Sequence, residues 1–188
     1  MSGIKFRASF LKKFSSDFLY TVSAVVVLNI VQQMVIQPYV NRVMGAEYLG
    51  NMLYYLGITY VFPQMFGVVL GHQRILYKHN EHVTNGDFLT ILGGYSIIAF
   101  FIGGIDAYMR TKDIPFAFGI AIFMFICTLR YYGQVEFRLN LFFKGYLIYF
   151  LILSAGYLLG LIPFQFVHQW IYIFIFGEIA AVVFVLVR

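Results

Sequence analysis

Asn29, Gln33 and Gln37 recur at every fourth position of an apolar run, with Gln32 beside them and Asn41 continuing the line. Residues four apart share one face of a helix, so these amides form a stripe and not scattered polarity. A side-chain amide in hydrocarbon needs partners, and the stripe must therefore face other helices or a wet cavity. Facing helices, it fixes packing through interhelical hydrogen bonds. Facing a cavity, it is a wall able to bond sugar hydroxyls or phosphate oxygens. A smaller polar face follows at Tyr60, Gln64, Gly67 and Gly71, where Pro63 removes a backbone donor and can bend the helix, as a hinge or as a static kink. Glu178, in Ile175-Phe176-Gly177-Glu178-Ile179-Ala180, is the one carboxylate deep inside an apolar run. A charge there costs roughly 2.5–3.5 kcal/mol on insertion scales, which makes it a candidate for proton or cation coupling; otherwise it is a protonated or hydrogen-bonded acid buried in a helix contact.

The elements that must position these groups are membrane spans. The chain of 188 residues is 61% hydrophobic and 11% charged, with a mean hydropathy of +0.82. A soluble domain of this length cannot hide so much apolar surface. A helix of about 20 residues crosses the hydrocarbon core. Six runs qualify, at residues 17–38, 52–70, 88–105, 114–131, 145–162 and 170–187. They are continuous and not alternating, which favours helices over a barrel. The expected fold is all-α: a polytopic membrane protein whose six transmembrane helices form one bundle over residues 1–188. The apolar part of the fourth run, Ile114–Leu129, is the shortest, and the run is expected to extend through Arg130 and Tyr131 into the headgroup region. Residues 1–16 alternate Phe6, Phe10, Leu11 and Phe14 with Lys5, Arg7, Lys12 and Lys13, a pattern suited to a short amphipathic segment on the inner leaflet. No small-x-small cleavage site follows the first run, so it is expected to be a retained span.

The net charge of +5 follows from loop placement and does not call for nucleic acid. With the N-terminus inside, Lys5, Arg7, Lys12, Lys13, Arg74, Lys78, Arg130, Arg138, Lys144 and Arg188 lie on the cytoplasmic side, and only Arg42, Arg110 and Lys112 outside. Both termini are then cytoplasmic. Trp170 and Tyr54, Tyr55, Tyr108, Tyr131, Tyr132, Tyr146 and Tyr172 cluster near span ends, as interfacial anchors do. Gly67–Gly71 and Gly156–Gly160 are GxxxG pairs, and with Gly93-Gly94 and Gly103-Gly104 they offer places for close helix approach.

Soluble-type chemistry finds little support. His72, His79 and His82 share the longest polar connection without the carboxylate or cysteine spacing of a metal site. Cys127 stands alone inside the fourth run as a small core residue. No phosphate-binding loop, dinucleotide fingerprint or nucleophile elbow is present. No enzyme activity, cofactor or metal is expected.

Particular residues resemble a family of polysaccharide flippases, which move lipid-linked oligosaccharides. The run Gln37-Pro38-Tyr39-Val40-Asn41-Arg42-Val43-Met44-Gly45-Ala46-Glu47-Tyr48-Leu49-Gly50 is similar to that family's first loop. Tyr131-Tyr132-Gly133-Gln134-Val135-Glu136-Phe137-Arg138-Leu139-Asn140-Leu141-Phe142-Phe143-Lys144 resembles its connection between the fourth and fifth spans, and Ser154-Ala155-Gly156-Tyr157-Leu158-Leu159-Gly160 its fifth span. The resemblance implies a translocase of the bacterial cytoplasmic membrane carrying oligosaccharide on a polyprenyl diphosphate. Two six-helix bundles would expose a central cavity to each side in turn. Asn29, Gln33, Gln37, Arg42 and Gln64 become substrate-cavity candidates, and Glu178 the ion-coupling candidate. Arg42 matches the family's first-loop arginine, where it could equally snorkel to the interface. Family members have roughly twice as many spans, and this chain stops one residue after its sixth. The expectation is a partial chain holding the first bundle, whose partners are the lipid-linked oligosaccharide, membrane lipids and a second six-helix bundle; a homodimer is the alternative. Other readings are half of an ion-coupled drug or small-molecule antiporter of the same superfamily, or a membrane scaffold with no transport of its own.

Overall fold

A computed structural model describes residues 2–77 and 84–187, with side chains from Lys13 onward. Its order is α1 (Ser2–Asn29), a π-helical segment (Ile30–Ile36), α2 (Gln37–Met44), α3 (Ala46–Leu76), α4 (Asn85–Thr111), α5 (Ile114–Gly133), α6 (Val135–Leu139), α7 (Phe143–Val167) and α8 (Ile171–Val187). No strand occurs among the described residues. Four of the six apolar runs lie inside one helix each, while the first crosses α1, the π-helical segment and the start of α2, and the sixth begins one residue before α8. Five helical stretches are long and apolar enough to cross a membrane: Lys13–Met44, Ala46–Leu76, Asn85–Thr111, Ile114–Leu139 and Phe143–Val167. The sixth, Ile171–Val187, is apolar but shorter, with 17 described residues, or about 25 Å at 1.5 Å per residue. Large apolar side chains such as Phe18, Met34, Val61, Phe101, Phe118 and Leu159 stand exposed around the outside. In water such a surface would drive aggregation; in a bilayer it meets its own kind.

Local chemistry sets the helix ends. The Thr84 hydroxyl accepts from the Asp87 backbone N–H while Asp87 accepts from the Thr84 N–H, a capping box that starts α4. The Asp113 carboxylate caps α5 by accepting from the Phe116 N–H. Gly45, at φ +89°, makes the sharp break between α2 and α3 that a residue with a Cβ would resist. The first helix runs unbroken from Ser2, and the side chains of residues 1–12 lie outside the described residues.

The bundle is built around α5, which packs on α3, α4 and α8. In turn α7 packs on α8 and α1, leaving α1 at one margin. Burial follows this order: half of the apolar window of the fourth span is buried in the protein, against 17% for the first. Cys127 sits in the α5 core at 2% exposure, with Phe123, Met124 and Tyr131.

Small residues decide the closest helix approaches. A Cβ on Gly156 would strike the Gly177 Cα, one on Gly160 the Ile173 carbonyl oxygen, and one on Gly177 would lie 2.6 Å from the Leu153 carbonyl oxygen. The α7–α8 pair is therefore in backbone contact. Gly67 does the same for α3 against Thr128 and Tyr131 of α5. Gly93 and Gly94 differ from expectation, because a Cβ on either would meet no atom of another helix within 4 Å among the described residues. Gly156→Leu should destabilise the bundle by about 1–3 kcal/mol through overpacking, and Gly93→Leu should change it little. Thermal unfolding of the two variants in detergent checks the contrast.

Aromatic placement is also more inward than the span-end pattern suggests. Trp170 is 2% exposed and packs between Tyr55, Phe123 and Phe174, with ring centroids 5.9–6.1 Å away. It plugs the end of the bundle instead of facing lipid headgroups. Tyr131, Tyr132 and Tyr146 are buried as well, whereas Tyr54, Tyr108 and Tyr172 are exposed. A span end specifies depth in the bilayer but not which way a side chain points.

Candidate functional site

Pro38 lacks the N–H that would close an α-helical turn, and its ring crowds the carbonyl one turn back. The helix responds by widening over Ile30–Ile36, where the Gln37 N–H donates to the Gln32 carbonyl oxygen, five residues back. Such π segments are uncommon and recur at functional sites. Here the widened turns carry Gln32 and Gln33, with Asn29 and Gln37 at either end.

These four amides meet α3 across a cavity of about 380 Å³ lined also by Leu28, Leu53, Leu56, Gly57, Tyr60 and Phe174. The Tyr60 hydroxyl donates to Gln32 Oε1 at 3.0 Å, bridging the two walls. Asn29, Gln33 and Gln37 make no side-chain hydrogen bond among the described residues. Water-to-alkane transfer of an unpaired amide costs roughly 4–8 kcal/mol, so three such groups at membrane depth need water, a ligand or another helix. At the end of the cavity nearest Gln37 the bundle is stitched together. The Tyr48 hydroxyl donates to the His168 carbonyl oxygen at 2.5 Å and accepts from the Trp170 N–H at 3.0 Å. Gln165 Nε2 donates to the Tyr39 hydroxyl at 3.0 Å.

Two other candidates stand apart. Arg42 is exposed in the last turn of α2 and Gln64 is exposed on α3; neither lines the cavity. His72 is exposed near the end of α3, while His79 and His82 lie outside the described residues.

Glu178 is 1% exposed, and its partner comes from the residue expected at the headgroups. Arg130 is 4% exposed, and its Nε faces Glu178 Oε2 at 2.5 Å as an ion pair between α5 and α8. From α7, the Tyr157 hydroxyl donates to Glu178 Oε1 at 2.6 Å, and the Tyr149 hydroxyl donates to the Arg130 carbonyl oxygen at 3.3 Å. The Arg130 guanidinium also lies 3.8 Å from the centre of the Tyr131 ring, a cation–π contact. Thus α5, α7 and α8 share one buried charged cluster. The amide cavity lies next to it, since Phe174, which lines the cavity, packs against the Tyr157 ring with centroids 4.9 Å apart. Sequence reasoning found the acid and missed the base. The available signal was that a lone carboxylate in one apolar run calls for a cation at similar depth in another.

Chemically, the cavity offers neutral donors and acceptors, and the charged cluster beside it is internally paired. Among the described residues, no nucleophile–base pair faces the cavity. Comparison with protein-family models, with curated proteins and with solved structures gives no match for this chain.

Proposed function

We propose that the chain is one six-helix bundle of a translocase in the bacterial cytoplasmic membrane, moving oligosaccharides linked to a polyprenyl diphosphate. The observation that carries this reading is the amide wall of Asn29, Gln33 and Gln37, unpaired at membrane depth on a cavity of about 380 Å³. Neutral amides bond sugar hydroxyls and phosphate oxygens alike and tolerate a variable glycan. The motif around Gln37–Gly50, which resembles the flippase first loop, follows directly from the same helix. In this reading all six apolar helices span the membrane and both termini are cytoplasmic. The orientation rests on the loop charges without Arg130, whose guanidinium is paired inside the bundle. Lys5, Arg7, Lys12, Lys13, Arg74, Lys78, Arg138, Lys144 and Arg188 then lie inside, against Arg42, Arg110 and Lys112 outside. A second six-helix bundle faces the cavity, and rocking of the two bundles exposes it to each side in turn.

The same unpaired amides also support a scaffold reading, in which a partner helix permanently covers them. Removing the chain from its host separates the two. Translocation predicts that lipid-linked oligosaccharide accumulates on the cytoplasmic leaflet and surface polysaccharide disappears. Normal surface polysaccharide would reject it.

A further inference from the structure

A second, larger cavity of about 640 Å³ lies at the opposite end of the bundle from the Tyr48–Trp170 contact. Its back wall is α5, through Leu129, Tyr132 and Gly133, and its sides are Leu89 and Leu92 of α4 and Val182, Val185 and Leu186 of α8. Both α4 and α8 pack on α5, and neither is a main packing partner of the other. The result is a lateral groove whose lips, Leu89 and Leu186, are exposed on the lipid-facing surface. A groove that opens sideways within a bilayer fills with lipid, because water has no partners among its leucines and valines.

The end of the groove is polar. Arg74 of α3 forms an ion pair with Glu136 of α6, and its Nε donates to Asn85 Oδ1 at 3.1 Å. Asn140 completes the rim, and Arg130 reaches the lining from behind, already paired with Glu178. Inside it, the Tyr132 hydroxyl is buried, with the residue 6% exposed, and has no hydrogen-bond partner among the described residues. Among the described residues, the two lining arginines are each matched by a carboxylate. A purely anionic headgroup would meet Glu136 as well as Arg74. A headgroup with both signs matches both.

We infer that this groove is a binding site for a phospholipid with a zwitterionic aminoethyl headgroup, phosphatidylethanolamine in chemical class. Its phosphate sits at Arg74 and the Tyr132 hydroxyl, its ammonium donates to Glu136 and the Asn140 side-chain carbonyl, and an acyl chain lies along Leu89, Leu92, Val182 and Val185. Ligand cavities of about 300–1,000 Å³ hold molecules of comparable size to a headgroup with its glycerol. A choline headgroup fits less well, since its methylated nitrogen has no N–H to donate to Glu136. The site is independent of the amide cavity and of which substrate, if any, that cavity carries.

The test is native mass spectrometry of the full chain released from nanodiscs containing equal phosphatidylethanolamine, phosphatidylcholine and phosphatidylglycerol. One tightly retained phosphatidylethanolamine is expected. Arg74→Met with Glu136→Gln should lower its retention about tenfold or more, the loss of two charge-assisted contacts. Leu186→Trp, which fills the mouth without touching the ion pair, should displace it while the helical circular dichroism stays unchanged. Equal retention of phosphatidylglycerol, no retained lipid, or undiminished retention in a folded Leu186→Trp variant would each overturn the assignment.

Discussion

Arg130→Met should destabilise the bundle by about 3–5 kcal/mol, the usual result of leaving one member of a buried ion pair without its partner. Glu178 would then lose its cation and keep the Tyr157 hydroxyl at 2.6 Å while 1% exposed. Glu178→Leu should cost a similar amount by leaving the buried Arg130 guanidinium, which lies over the Tyr131 ring, without its carboxylate. The double variant Arg130→Met with Glu178→Leu should recover most of the loss, since apolar side chains of similar volume often replace a buried pair without penalty. Denaturant titration of all four proteins in one detergent gives the coupling energy directly. Additive losses would mean that the two groups do not interact as the 2.5 Å separation implies. The same cycle bears on ion coupling. A proton arriving at Glu178 must displace both Arg130 and Tyr157, so a coupling role requires the α5–α8 contact to open during transport. If Glu178 performs it, Glu178→Gln abolishes dependence on the ion gradient; unchanged dependence assigns the acid to packing alone.

Asn29→Leu combined with Gln33→Leu should reduce surface polysaccharide export about a hundredfold, taking roughly 1.5 kcal/mol for each lost hydrogen bond to a charged or polyhydroxyl substrate. Membrane insertion should be normal, because both changes raise the hydropathy of the first span. This separates a transport defect from a folding defect, which the α1 position also favours. The helix sits at the margin of the bundle, with 17% of its apolar window buried, so its polar face contributes little to packing within the described chain. Gln64→Leu and Arg42→Met should have much smaller effects, since neither side chain lines the cavity. Export unaffected by the double change would remove the cavity from the mechanism.

The helical architecture was legible because continuous apolar runs in lipid admit few alternatives, and every run is helical over nearly all its length. The amide stripe was legible too, although for an incomplete reason. Spacing by four assumes a regular α-helix, whereas Pro38 widens the preceding turns and brings Gln32 onto the same wall. Lateral position was the hidden quantity. Depth along a span follows from the chain, but the neighbours of Arg130 and Trp170 depend on how six helices assemble. An arginine at the end of an apolar run is ordinarily a headgroup residue; here the acid on α8 draws it inward. Trp170 likewise leaves the interface because Tyr55, Phe123 and Phe174 converge on its position. The lateral groove between α4 and α8 had no sequence signal, since Arg74, Tyr132 and Glu136 lie on three elements.

The central claim is that the amide wall faces a wet, substrate-accessible cavity, and thiol labelling at Gln33 tests it most directly. Cys127 is 2% exposed in the α5 core, so the native chain is an unreactive background. Gln33→Cys places a thiol on the cavity wall, and Met34→Cys places one at the adjacent position, which is 73% exposed on the outer surface. Thiols react as thiolates, which require water. With a charged, membrane-impermeant thiol reagent, Gln33→Cys should be labelled and Met34→Cys should not, and lipid-linked oligosaccharide should slow the labelling at Gln33. A Gln33→Cys thiol as inert as that of Met34→Cys would contradict the account and leave the amides covered by a partner helix.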